Sequence, residues 1–273
     1  MNAKQNDMAK TFRAFHDGKR LLVLPNAWDA GSARLMESAG ARAVATSSAA
    51  VAWSHGYPDG DALPVKLLAA TTAAIARVIR VPLSVDSEGG YSKDPVAAAE
   101  AIGAVIDAGA VGINIEDADQ GTDLLCAKIE RIRDVAAKRG ADLFVNARTD
   151  VYLFGLVSEE RRLEETLARA ARYRAAGADG LFVPAVTNAD EIRTIAAECG
   201  LPLNVLARPG LSDGATLASL GVRRLSAGSQ LAQRIWLEAG ALAREFVETG
   251  CSDPLFAAGM AYGDLNALMT DRR

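Results

Sequence analysis

The chain has 273 residues, 50% of them hydrophobic, and a formal charge of −4. Its 30 Lys and Arg are scattered, which excludes a nucleic-acid footprint, and no run approaches the roughly 18 apolar residues of a membrane span. Cys126, Cys199 and Cys251 are odd in number and lack CxxC spacing, and the opening stretch has no apolar signal core. A cytoplasmic globule without disulfides or zinc is expected.

In chain order, the first apolar run is "LLVLP" from Leu21, followed by "AGARAVATSS" from Ala39, "PLSVD" from Pro82 and "AGAVGINIED" from Ala108. Then come "LFVNAR" from Leu143, "AGADGLFVPA" from Ala176, "PLNVL" from Pro202 and "LGVRRLSAGS" from Leu220. Short apolar runs bounded by turns suit buried parallel strands. Gly40, Gly109, Gly177 and Gly221 each follow a helical pattern and read as its C-terminal cap. The helix "DPVAAAEAIGAVIDAG" has Asp94 as N-cap and Pro95 at its first position, and "SEERRLEETLARAARYRAAG" carries acids in its first turn. Such alternation matches the eight strands of a (β/α)8 TIM barrel. A doubly wound sheet is the rival, but no GxGxxG follows the first strand. No composition shift marks a second domain, so residues 1–273 are expected to form one barrel domain with a C-terminal helical extension.

In such a barrel the chemistry sits where strands end. Strand two ends in Thr46, Ser47 and Ser48, and strand three in Asp86 and Glu88. Strand four ends in Asn114, Glu116 and Asp117, and strand five in Asn146, Arg148 and Asp150. Alternation puts Asn114 with Glu116, and Asn146 with Arg148. Crowded carboxylates repel unless a cation neutralises them, and oxygen ligands without His or Cys suit Mg²⁺ or Mn²⁺. Arg148 is suited to grip a substrate carboxylate through its planar fork.

The motifs "PNAWDAGSARLMESAG", the serine pair before "GYPDGD", "VDSEGGYS", "INIEDAD" and "NARTD" together resemble the isocitrate lyase/phosphoenolpyruvate mutase superfamily. The resemblance implies a Mg²⁺-dependent barrel enzyme that makes or breaks a C–C or C–P bond next to an enolate. It makes Asp86 the main metal ligand, with Asp59, Glu88 and Glu116 holding the metal's waters. Ser47 and Ser48 would offer N–H groups and a hydroxyl to a keto acid whose carboxylate Arg148 binds, so Arg148, Ser47 and Glu116 form the expected catalytic set. It also implies a homotetramer, a dimer of dimers that swap the last barrel helix, here the segment from Gln230.

The chain departs from the pattern in three places. The lyases' Lys-Lys-Cys-Gly-His loop is missing after strand four, and Cys126 reads as a packed core cysteine. Pro184 stands where the C–P branch has a histidine, and Glu88 replaces an aspartate. Four protic groups remain near the mouth: His55, Tyr57, Tyr91 and Tyr152. The leading expectation is a lyase that cleaves a C–C bond in, or decarboxylates, a small α-keto or hydroxy diacid. The alternatives are a C–P hydrolase or mutase acting on phosphonopyruvate, and a non-catalytic barrel that binds a keto acid and a metal.

Overall fold

Each short apolar run becomes a strand because a helix after it returns the chain to the same edge of the sheet. The computed structural model describes residues 3–18 and 20–270. The first barrel strand, β1, runs Leu22–Leu24 and resumes as Asn26–Ala27 after Pro25, which has no N–H to give to the ladder. Then follow β2 (Val44–Thr46), β3 (Leu83–Asp86), β4 (Gly112–Glu116) and β5 (Phe144–Arg148). The last three are β6 (Gly180–Val183), β7 (Leu203–Leu206) and β8 (Arg224–Ser226). All pairings are parallel; the first half of β1 pairs with β8 and its second half with β2, so the expected (β/α)8 barrel closes.

The cap residues behave as expected. Asp94 accepts the N–H groups of Val96 and Ala97 with Pro95 behind it, and Gly40, Gly109, Gly177 and Gly221 all have φ between 93° and 114°. Alternation also holds. Asn146 donates to Asn114 at 2.9 Å and to Asn204 at 3.0 Å across the barrel interior, and one step later Arg148 meets Glu116.

The N-terminal end is closed by a helix, Ala3–Asp17, for which the sequence reading made no prediction. Phe12 is fully buried under the barrel, edge-on to Phe144, and His16 stacks on Phe144 at 4.1 Å. A Cβ on Gly112 would lie 2.7 Å from the Phe12 ring, so only glycine lets the plug seat this closely.

The helix Gln230–Thr249 leaves the barrel after burying Ala232, while Leu237 is 68% and Val247 83% exposed. Beside its start lies an apolar groove of about 830 Å³ over the outer faces of β1 and β8, lined by Val23, Pro25, Leu35, Met36 and Leu225. No helix among the described residues is long and apolar enough to cross a membrane.

Candidate active site

The mouth at the C-terminal ends of β2 to β5 is built around Asp86, the last residue of β3. Its Oδ2 accepts the N–H of Ser48 at 3.3 Å and the Ser48 hydroxyl at 3.0 Å. Its Oδ1 is buried and has no hydrogen-bond partner. Ser48 opens the helix Ser48–Ser54 and lines the cavity. Ser47 is placed otherwise. It caps that helix by accepting the N–H of Ala50 at 3.4 Å, and its own N–H donates to the Ala27 carbonyl at 3.2 Å. Both Ser47 groups are occupied by backbone, and the residue does not line the cavity.

Glu88 sits in the turn after β3 with φ 47°, a left-handed conformation that strains a glutamate and is sustained by its surroundings. Its carboxylate accepts N–H groups from Gly60, at 2.8 Å, and from Asp61, and the Tyr91 hydroxyl at 3.1 Å. Glu88 thereby clamps the loop that carries Asp59 over the mouth. Asp61 accepts the N–H of Tyr91 at 3.0 Å, and a Cβ on Gly89 would stand 2.8 Å from its Oδ2. The buried Lys128 donates to the Gly89 carbonyl at 2.6 Å and to the Gln120 amide oxygen at 3.1 Å, tying this turn to the loop after β4. Lys128 escapes a sequence reading, because a lysine in a helix reads as a solvated face.

Across the mouth, Glu116 and Arg148 face each other in register on β4 and β5. Arg148 Nη1 meets Glu116 at 2.7 Å and Nε meets Asp150 at 2.7 Å, so two of its donors are engaged by acids before any substrate arrives. Asp150 Oδ2 is a second buried carboxylate oxygen without a partner. Asp117 turns away from the mouth, accepting from the Thr149 hydroxyl, the Asp150 N–H, Arg169 and the Tyr173 hydroxyl. It is an anchor for the loop after β5, as the dense set of donors around it requires.

A cavity of about 640 Å³ brings together Ser48, Asp59, Glu88, Glu116 and Arg148. Burial pushes Glu116 up to about 8, against the pull of Arg148, and Glu88 up to about 7, with the charges of Asp59 and Asp86 adding to the rise. Asp59 is raised by burial and by Asp86. Acids driven towards protonation form a site that a cation would relieve. The donors are all oxygen, and the orphaned Asp86 Oδ1 is a ready ligand, so the residues fit Mg²⁺ or Mn²⁺. Among the described residues no three acidic, His or Cys side chains form a ready-made cage.

The protic candidates lie outside the cavity lining. His55 is held to the Thr71 hydroxyl at 2.8 Å, Tyr91 is turned to Glu88, and Tyr152 packs on the core beside Glu191. Tyr57 stands on the surface. Cys126 is half-buried rather than enclosed, in the helix Thr122–Lys138, and burial raises its thiol pKa.

Residues 12–247 match the sequence profile of the phosphoenolpyruvate phosphomutase family. The chain belongs to the isocitrate lyase/phosphoenolpyruvate mutase superfamily. It is 37% identical over 265 residues to an uncharacterized protein of Mycobacterium tuberculosis, covering 96% of each chain. It is 31% identical over 201 residues to a 2-methylisocitrate lyase of Aeropyrum pernix, covering 70% of this chain and 63% of the relative. The solved 2,3-dimethylmalate lyase, a superfamily member, shares the fold with a TM-score of 0.84 at 23% identity, over 96% of this chain and 94% of that one. The superfamily thus includes lyases and phosphomutases.

Proposed function

We propose that this chain is a Mg²⁺-dependent lyase that cleaves a C–C bond in, or decarboxylates, a small α-keto or hydroxy carboxylic acid through an enolate. The observation that carries this reading is Asp86. One of its oxygens is fixed by Ser48, which lines the acid-rich cavity, and the other is buried without a hydrogen-bond partner. A bound Mg²⁺ would supply a positive charge next to the oxygen where the enolate's charge develops.

The chain's own residues do the rest. Ser48 orients Asp86, and Glu88 holds the Asp59 loop in place. Asp59, Glu88 and Glu116 stand around the cavity where they can accept from ordered waters. Arg148, set in plane by Glu116 and Asp150, binds the substrate carboxylate. The cavity lining contains one cationic side chain, Arg148, so a phosphonate dianion beside a carboxylate would lack a partner, and this favours the C–C reading over phosphonopyruvate. We assign the enzyme to the cytoplasm, where its free cysteines stay reduced.

We also propose a homotetramer, a dimer of helix-swapped dimers. The exposed apolar side of Gln230–Thr249 and the groove over β1 and β8, which Leu231 and Ile235 at the start of that helix also line, are both apolar, and the swap would bury both.

The test is enzyme stripped with EDTA and assayed on a panel of 2-keto and 2-hydroxy acids. Turnover should appear only when Mg²⁺ or Mn²⁺ is returned. Turnover that survives EDTA would refute the proposal.

A further inference from the structure

Residues 54–60, the stretch that carries Asp59, are all exposed. Packing gives such a loop little support, so its place over the mouth depends on its hydrogen bonds. Those bonds converge on three residues. Glu88 accepts the N–H groups of Gly60 and Asp61. The Asp61 carboxylate accepts the Tyr91 N–H at 3.0 Å, and the Tyr91 hydroxyl returns to Glu88 at 3.1 Å. The loop and the turn after β3 thereby close a ring in which Asp61, Glu88 and Tyr91 each hold the other two.

All three have left-handed backbone: φ is 57° at Asp61, 47° at Glu88 and 60° at Tyr91. That region is uncommon outside glycine and least suited to a bulky side chain such as tyrosine, and it persists only where the surroundings impose it. Here the ring imposes it. The fit is close, since a Cβ on Gly89 would stand 2.8 Å from Asp61 Oδ2, and Lys128 pins the Gly89 carbonyl at 2.6 Å. Asp61 and Tyr91 do not line the cavity, whereas Asp59 and Gly60 do. Any effect of the ring on the site therefore passes through Asp59, whose carboxyl feels the charge of Asp86.

We propose that Asp61 and Tyr91 are positioning residues for the metal site: with Glu88 they form a latch that fixes Asp59 over the mouth. This rests on the Mg²⁺ site proposed above and adds to it two residues that never touch the ion. With the latch closed, Asp59 already stands where it can accept from the metal's waters. With the latch cut, the three strained residues relax and the exposed loop is free to move. An arriving ion must then order the loop as it binds, which lowers its affinity.

Two measurements on the full chain test this. Hydrogen exchange on the metal-free protein reads the latch, and calorimetric titration of Mg²⁺ reads its consequence. Asp61→Ala removes the acceptor for Tyr91 and puts alanine at a left-handed position. It should speed exchange in the peptide 56–63 at least about tenfold and weaken Mg²⁺ at least about fivefold, with a melting curve close to wild type. Asp61→Asn removes the charge but keeps an acceptor oxygen and tolerates that backbone, so both readings should stay within about threefold of wild type. Tyr91→Phe, which loses only the hydroxyl, should fall between the two. If Asp61→Ala exchanges and binds Mg²⁺ as wild type does, the latch is wrong and the metal site stands. If Asp61→Asn loses Mg²⁺ as fully as Asp61→Ala, the charge of Asp61 acts at the site rather than the ring, and the proposal is overturned. If wild type itself binds no Mg²⁺, the site is wrong and the positioning role falls with it, whatever the exchange rates show.

Discussion

The two ends of this barrel each carry an arginine, and the two are treated in opposite ways. At the mouth, Arg148 lies between Glu116 and Asp150, and these acids hold its pKa above the usual value despite burial. At the plugged end, Arg224 is wholly buried, with both terminal nitrogens unpartnered and its charge 6.0 Å from the Phe12 ring. Burial pulls it down to about 9. One end neutralises its charges in pairs and leaves carboxylate oxygens open for a ligand. The other excludes water with aromatic rings and holds one buried cation that no carboxylate pairs, its Nε donating to the Ser226 hydroxyl at 3.3 Å. Backbone strain follows the same division: Asp61, Glu88, Tyr91 and Ala118 take positive φ around the mouth. Strain kept at one end and packing at the other is what a barrel with chemistry on a single face should show.

The contrast breaks most visibly under paired truncations. Phe12→Ala should cost about 3–5 kcal/mol of stability, the usual range for a buried aromatic, and leave Mg²⁺ affinity unchanged. Asp59→Ala should do the reverse, weakening Mg²⁺ without abolishing it and scarcely moving the melting temperature. Chemical denaturation and metal titration on both variants would show whether the ends are independent.

Exchanging the arginines sharpens it further. Arg148→Lys keeps the charge but loses the planar fork, so the oxalate Kd should rise at least about tenfold, or ~1.4 kcal/mol. Arg224→Met removes an unpaired buried charge and should raise the melting temperature without altering oxalate binding. A drop in melting temperature would mean that the Ser226 hydrogen bond and the charge of Asp86 outweigh the cost of burying Arg224.

The pH dependence follows from the raised acids. Folded Glu88 and Glu116 hold protons to about 7 and about 8, whereas the unfolded chain releases them near 4.5. Metal-free protein should therefore lose stability as pH rises from roughly 4.5 through 8. Mg²⁺ competes with those protons, so its affinity should climb over pH 6 to 8 and then level. Thermal melts with and without Mg²⁺ across that range check both signs.

The smallest expected effect concerns Cys126. Its raised pKa and helical setting keep the thiol protonated, so Cys126→Ser should leave kcat within about threefold. A hundredfold loss with an intact melting curve would make it the proton donor.

The barrel was legible in the sequence because its signals are local. A glycine ending a helix, an apolar run and a polar strand end recur along the chain, and alternation set Asn114 with Glu116 and Asn146 with Arg148, faces that the strand register then brings side by side. The plug helix was missed although Met8, Phe12 and Phe15 are spaced for one helical face, since a short polar opening resembles an unstructured lead. Ser47 and Asp117 looked like site residues because their types and positions suit one. What each side chain bonds depends on neighbours distant in sequence, such as Ala27 for Ser47 and Tyr173 for Asp117. The apolar part of the cavity lining was invisible for a related reason. Leu153 and Phe154 carry no local signal, and only the fold places them in the lining of the cavity that holds Arg148.

The central claim is that the open oxygen of Asp86 is the direct metal ligand, and calorimetric titration of Mg²⁺ into wild type and Asp86→Asn tests it most directly. Asparagine preserves shape while removing the charge, so folding should be unchanged on melting. The account predicts saturable Mg²⁺ binding to wild type and none to Asp86→Asn. Equal affinity in the two proteins would contradict it.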